Sequence, residues 1–338
     1  MDLNTVWFFL IGLLLAGYAI LDGFDLGVGV LHLFTRREQD RRVNMQAIGP
    51  VWDGNEVWLL TGGGALFAAF PAVYATAFSG LYLAFMLLLF ALIFRAVALE
   101  FSHHIDQAVW RRVWDWSFGL GSLLPAILYG AAVGNVLRGL PVNADGSLQV
   151  AFLSLLNPYA LLVGVLTLAL FVMHGAAYMA VKTEGDLQQH MVRWVSGTWM
   201  VVIVLYFIAT LTTYFVSPFL FEGVLSRPLF WVFFVLLLGG MFTIPVFVRG
   251  QKHLRAFLAS SLMIGSMIGL AGVSLFPRML PSTVDPVYSL TAYNASSTPR
   301  TLTVMLVIAL IGMPVVLAYT IYVYRLFKGK VVVSEEGY

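Results

Sequence analysis

Long, almost uncharged apolar runs separated by short polar connections dominate this chain. Nine of them hold the roughly 20 mostly apolar residues that a bilayer-spanning helix needs. They are residues 6–34, 52–70, 74–101, 114–137, 158–180, 192–216, 229–248, 254–276 and 301–327. Stretches such as 81–94 are continuously apolar rather than alternating, which predicts helices and not the strands of a β-barrel. The first run opens on Asp2 instead of a basic cluster and carries Asp22 and Asp25 near its end. It therefore reads as a span and not as a signal peptide.

Composition supports that pattern. Charged residues make up 11% of the 338, hydrophobic residues 60%, and the net charge is +2. Soluble domains carry roughly 25% charged residues, so there is too little charge to coat a soluble surface. The basic face that nucleic acid requires is missing as well. The absence of cysteine excludes disulfides, thiolate-held metals and thiol nucleophiles. The expected fold class is an all-α integral membrane protein with nine transmembrane helices.

Basic residues predict its orientation. One set of span ends holds 14 of them: Arg36, Arg37, Arg41, Arg42, Arg111, Arg112, Lys182, Arg193, Arg249, Lys252, Arg255, Arg325, Lys328 and Lys330. The other set holds 4, namely Arg138, Arg227, Arg278 and Arg300, and Arg95 lies within a span. The N-terminus is expected outside and the C-terminus in the cytoplasm. The longest connection, 277–300, has 24 residues. Chemistry is therefore expected within the bilayer, at its edge, or in a partner.

Ionisable groups in hydrocarbon cost about 2.5–3.5 kcal/mol each on insertion scales. Asp22 and Asp25 sit late in the first span, Asp53 and Glu56 early in the second, Arg95 late in the third, with Glu100 beyond it, and Asp115 opens the fourth. The alternating directions of these spans predict one charged layer near the cytoplasmic side. Asp22 and Asp25 share a helix face through i,i+3 spacing, as do Asp53 and Glu56. An excess of carboxylates over one arginine suits a hydrated proton-uptake path. The simpler reading, pairing that staples helices together, stays open for each residue and is preferred for Asp115 and Glu100.

Haem is disfavoured. His32, His103, His104, His190 and His253 fall at span ends or in loops, and only His174 lies well inside a span. A Met partner such as Met173 or Met86 is conceivable in principle, but membrane methionine is usually packing. Gly23-xxx-Gly27 and Gly62-Gly63-Gly64 are expected to let helices approach closely. Pro125, Pro245 and Pro314 are expected to kink their helices. Trp7, Trp110, Trp114, Trp116 and Trp194 are expected in interfacial belts. Asp22-Gly23 and His174-Gly175 sit in similar contexts, a weak sign of internal duplication.

Several motifs carry a family resemblance. They are Leu21-Asp-Gly-Phe-Asp-Leu-Gly-Val-Gly29, Gly49-Pro-Val-Trp-Asp-Gly-Asn-Glu-Val-Trp58, Gly62-Gly-Gly-Ala-Leu-Phe-Ala-Ala-Phe-Pro71 and Phe94-Arg95. Trp114-Asp-Trp116, Gly134-Asn135, Gly139-Leu-Pro141, Leu155-Leu-Asn-Pro158 and Phe276-Pro277 follow in order. The chain resembles subunit II of the cytochrome bd quinol oxidases. That resemblance implies two four-helix bundles (6–137 and 158–276) plus a peripheral ninth helix (301–327), in one polytopic membrane domain. It implies a haem-bearing subunit I as partner, holding two b-type haems and one d-type haem or a b-type substitute. This chain would bind none, and would scaffold an electrogenic, non-pumping oxidation of quinol by O2 in a bacterial or archaeal cytoplasmic membrane.

The family leaves room for a structural quinone and a small single-span accessory subunit. By the same resemblance, Asp22, Asp25, Asp53 and Arg95 match a hydrophilic cytoplasmic path, and Trp58 matches a tryptophan near the oxygen route. Glu56 stands where some members carry Gln, so its share in the proton path is open. The alternative is a proton-coupled secondary transporter, motivated by the same acidic layer. It would call for inverted repeats and a midplane site.

Overall fold

The computed structural model describes residues 2–102, 104–105 and 107–331; His103 lies outside them. Helix starts follow local capping chemistry. Asp2 accepts the Thr5 amide at 2.8 Å and opens α1, Leu3–Leu33. Asn157 accepts the Ala160 amide at 3.0 Å, with Pro158 in the first turn of α7, Pro158–Lys182. Thr298 and Pro299 do the same for α11, Pro299–Leu326. These residues satisfy helix-end donors that would otherwise be orphaned, and proline has no amide to lose there.

The remaining helices are α2 (Glu38–Ile48), α3 (Trp52–Ala69), α4 (Pro71–Gly80), α5 (Tyr82–Phe101), α6 (Ala108–Arg138), α8 (Gly185–Val216), α9 (Pro228–Arg249) and α10 (His253–Leu275). Among the described residues, eight helices are individually long and apolar enough to span. A ninth span is reached only by joining α3 to α4, which is bent from it by 119°. The run 74–101 is therefore not one helix. Its first part belongs to α4, which leaves α3 at Pro71, where proline disfavours helix in the residue before it. The true third span begins at Tyr82. In contrast, α6, α9 and α11 each continue through their prolines.

α1 and α7 lie side by side at the centre. α1 also packs on α3 and α6, while α7 also packs on α6, α8 and α10, and α9 pairs with α10. Lipid supplies no hydrophobic drive between helices, so close backbone approach matters most. Gly27 and Gly175 provide it. A Cβ on Gly175 would come within 2.6 Å of the Val28 nitrogen, and one on Gly27 would overlap the Phe171 carbonyl. The expectation for Gly62-Gly63-Gly64 holds only in part. Gly62 faces Leu15, whereas Gly63 and Gly64 have open space where a Cβ would be.

At one end, β1 (Arg278–Leu280) pairs antiparallel with β2 (Leu290–Thr291). The surrounding loop is tied to its neighbours by Leu140 N–H to Pro281 O (2.9 Å) and Ser297 N–H to Ala69 O (2.8 Å). α2 lies at the opposite end, where the Tyr178 hydroxyl donates to Ala47 O at 2.8 Å. α11 is the least embedded helix, with Leu302 its only buried residue. Trp7 is not a belt residue. It is buried, and its indole donates to Leu302 O at 2.9 Å, pinning the start of α11.

Candidate functional site

Spacing along α1 aims Asp22 and Asp25 at the same neighbours, α3 and α5, toward the α2 end. Arg95 reaches them from α5. Its Nη1 donates to Asp22 Oδ2 at 3.0 Å and its Nη2 to Asp22 Oδ1 at 2.5 Å, a two-pronged fork. Nη2 also stands 3.9 Å from Asp25 Oδ2. Side-chain exposure is 1% for Arg95 and 0% for both aspartates. With all three ionised, the cluster carries one uncompensated negative charge in low dielectric.

Asn55, one turn into α3, donates its amide to Asp25 Oδ2 at 2.7 Å. Its carbonyl accepts the Tyr324 hydroxyl of α11 at 2.8 Å. Two polar atoms of the cluster, Asp25 Oδ1 and Arg95 Nε, are buried without a hydrogen-bond partner among the described residues. Such atoms are uncommon, because an unsatisfied buried group costs about 1–3 kcal/mol. Toward the other end of α1, the Tyr18 hydroxyl donates to that of Tyr129 at 2.8 Å. Tyr129 lines a small apolar cavity of about 70 Å³ between α5, α6 and Phe152.

The structure thus brings Asp22, Asp25 and Arg95 into direct contact. Glu56 is half-buried on α3, and Asp53 is exposed at its start. Asp115 stands apart: it accepts from Arg41 at 2.8 Å and lies 2.9 Å from His32 Nε2. That is the stapling role preferred for it, joining α6 to α1 and α2. Trp58, on α3, packs its ring against α1, filling the space that a side chain at Gly17 would need.

Asn55 and Tyr324 are members of the polar network that the sequence reading did not single out, and Tyr18 and Tyr129 form a separate hydroxyl pair along α1. Asn55 had a signal, an amide one turn inside an apolar helix next to two carboxylates. Tyr324 had none, because more than 260 residues separate it from Asn55.

His174, the one histidine expected well inside a span, does not fit haem ligation. Both ring nitrogens of His174 are engaged, Nδ1 with Ser260 Oγ at 2.7 Å and Nε2 with Ile20 O at 2.9 Å. The ring also stacks on Phe257, 4.7 Å away. Among the described residues no three His, Asp or Glu side chains are grouped to hold a metal.

Fold and site together define a multi-pass helical membrane protein with a buried carboxylate–arginine cluster. Comparison with known proteins makes the class specific. The family model for cytochrome bd terminal oxidase subunit II matches residues 3–327. The cytochrome bd-I ubiquinol oxidase subunit 2 of Escherichia coli K12 is 36% identical, over 97% of this chain and 95% of that protein. The cytochrome bd ubiquinol oxidase subunit 2 of Bacillus subtilis is 37% identical, over 98% and 97%. A chain of the bd oxidase from Geobacillus thermodenitrificans shares the fold, with a TM-score of 0.78 at 16% identity, covering 97% of this chain and 99% of its own. The chain belongs to the cytochrome bd terminal oxidase subunit II family, and so is a subunit of a terminal oxidase complex.

Proposed function

We propose that this chain is the haem-free second subunit of a quinol-oxidising, O2-reducing bd oxidase, scaffolding a haem-bearing subunit I and carrying protons to it from the cytoplasm. The family match over residues 3–327 carries the first part of this reading. It also displaces the transporter alternative. The basic-residue asymmetry supports an outside N-terminus and a cytoplasmic C-terminus, and the packing about α1 and α7 is compatible with two four-helix bundles and a peripheral α11.

The Asp22–Arg95–Asp25 cluster supports the proton role. Asp25 Oδ1 and Arg95 Nε are buried with no partner among the described residues. One carboxyl oxygen is held and the other is open, an arrangement suited to accepting and passing a proton. Asp53 and Glu56 extend the acidic groups from this core to an exposed face of α3.

That face supports the scaffold role. A carboxylate on a spanning helix is costly against lipid, and Asp53 shares its side of α3 with Val57, Leu60 and the open Gly64. Small residues with open Cβ space suit a closely packed foreign helix. On this reading subunit I covers α3, receives protons from the cluster, and meets oxygen passing near Trp58. The quinone and any accessory subunit belong to that assembly.

The test is co-expression with a haem-bearing partner. The pair is expected to co-purify and to consume O2 with quinol, while the chain alone shows no haem bands in a reduced-minus-oxidised spectrum. Stoichiometric haem in the isolated chain would contradict the assignment.

A further inference from the structure

Tyr324 stands out on α11. That helix is nearly bare, and its side chains reach the interior chiefly near its ends. Leu302 is buried near its start, and Tyr324 packs on the core near its end. The Tyr324 hydroxyl passes into the acidic cluster and donates to Asn55 Oδ1, and Asn55 Nδ2 donates to Asp25 Oδ2.

A side-chain amide has an accepting end and a donating end. Asn55 is buried, so both ends need partners. With Asp25 ionised, only the observed orientation is bonded at both ends. The reversed amide would set its carbonyl oxygen against a carboxylate oxygen. Tyr324 supplies the donor that makes the observed orientation complete. Removing that hydroxyl leaves Oδ1 buried without a donor, and the amide is free to turn from Asp25.

We propose that Tyr324 is a positioning residue for Asp25: acting through Asn55, it holds Oδ2 and leaves Oδ1 as the oxygen that exchanges the proton. The inference rests on the proton-path reading above and adds α11 to it. The charged and titratable groups facing Asp25 are Asp22 on its own helix, Arg95 on α5, Glu56 on α3, Tyr178 on α7 and Tyr324 itself. Of these, only Tyr324 connects Asp25 to α11.

The experiment uses the assembled oxidase carrying Tyr324→Phe, Asn55→Ala, both together, or Asp25→Asn, with Tyr319→Phe on the exposed side of α11 as control. Haem content, steady-state O2 consumption and the redox-difference infrared spectrum are recorded for each. The carboxyl band lost in Asp25→Asn identifies Asp25. Tyr324→Phe is expected to retain haem, to displace that band, and to slow O2 consumption roughly two- to tenfold, the factor one lost hydrogen bond represents.

Asn55→Ala is expected to displace the same band, and the double variant to be no slower than Asn55→Ala, because the two residues act in series. Tyr319→Phe should match wild type. An undisplaced band in Tyr324→Phe, or losses that add in the double variant, would overturn the positioning role while leaving the proton path intact if Asp25→Asn is slow. Wild-type turnover in Asp25→Asn would overturn both.

Discussion

Asp22 and Asp25 on α1, and His174 on α7, occupy facing central helices that touch at Gly27 and Gly175, yet the two sites are finished differently. At His174 the neutral ring can be bonded at both nitrogens and is stacked on a phenylalanine. At Asp25 one oxygen is bonded and the other is left open, beside a guanidinium whose Nε is also open. A polar group that only holds helices together can be fully satisfied. One that must take up and release a proton cannot. The contrast separates a packed half of the molecule from the half we assign to proton transfer.

The largest effect that would break this contrast is expected from Arg95→Ala. It strands Asp22 and Asp25 without their cation, a loss of about 3–5 kcal/mol for a broken buried pair. The yield of assembled complex on a native gel should collapse, and normal yield would show the fork to be dispensable.

Gly175→Val comes next. It drives a branched side chain into the α1 backbone, and overpacking of this kind costs about 1–3 kcal/mol or more. It should lower the thermal midpoint of the complex, and an unchanged midpoint would contradict the close approach. His174→Leu should cost about 1–3 kcal/mol, as the buried Ile20 carbonyl loses its donor. It should do so with turnover per haem preserved, since the α7 site has no assigned part in proton transfer. Slow turnover per haem would erase the distinction between the halves. Trp7→Phe removes one hydrogen bond to α11 and should cost about 0.5–1.5 kcal/mol with no change in turnover.

Much of this architecture was legible in sequence because membrane spans announce themselves by length and apolarity. The exception is instructive. The run 74–101 gives no hydropathy signal of a break, and only Pro71 marks where α4 turns away from α3. The charged layer was legible from span direction alone, which puts Asp22, Asp25 and Arg95 near one end.

Its satisfaction was not legible. Which carboxyl oxygen stays open depends on the Asn55 amide, and that amide depends on Tyr324, far away in sequence. Trp7 shows the same limit. Its position near a helix end suits an interfacial belt, but the arrival of α11 turns it into a buried pin. Glycines divide likewise. Gly27 and Gly64 look alike in sequence, yet one meets α7 and the other faces open space.

The central claim is that the open carboxyl of Asp25 passes protons for oxygen reduction in the partner. It is tested most directly by rapid mixing of the fully reduced Asp25→Asn complex with O2, following haem oxidation and the accompanying proton uptake from the medium. The account predicts normal haem absorbance and normal O2 binding, followed by slowed proton uptake and slowed completion of haem oxidation. Proton uptake at the wild-type rate would contradict it.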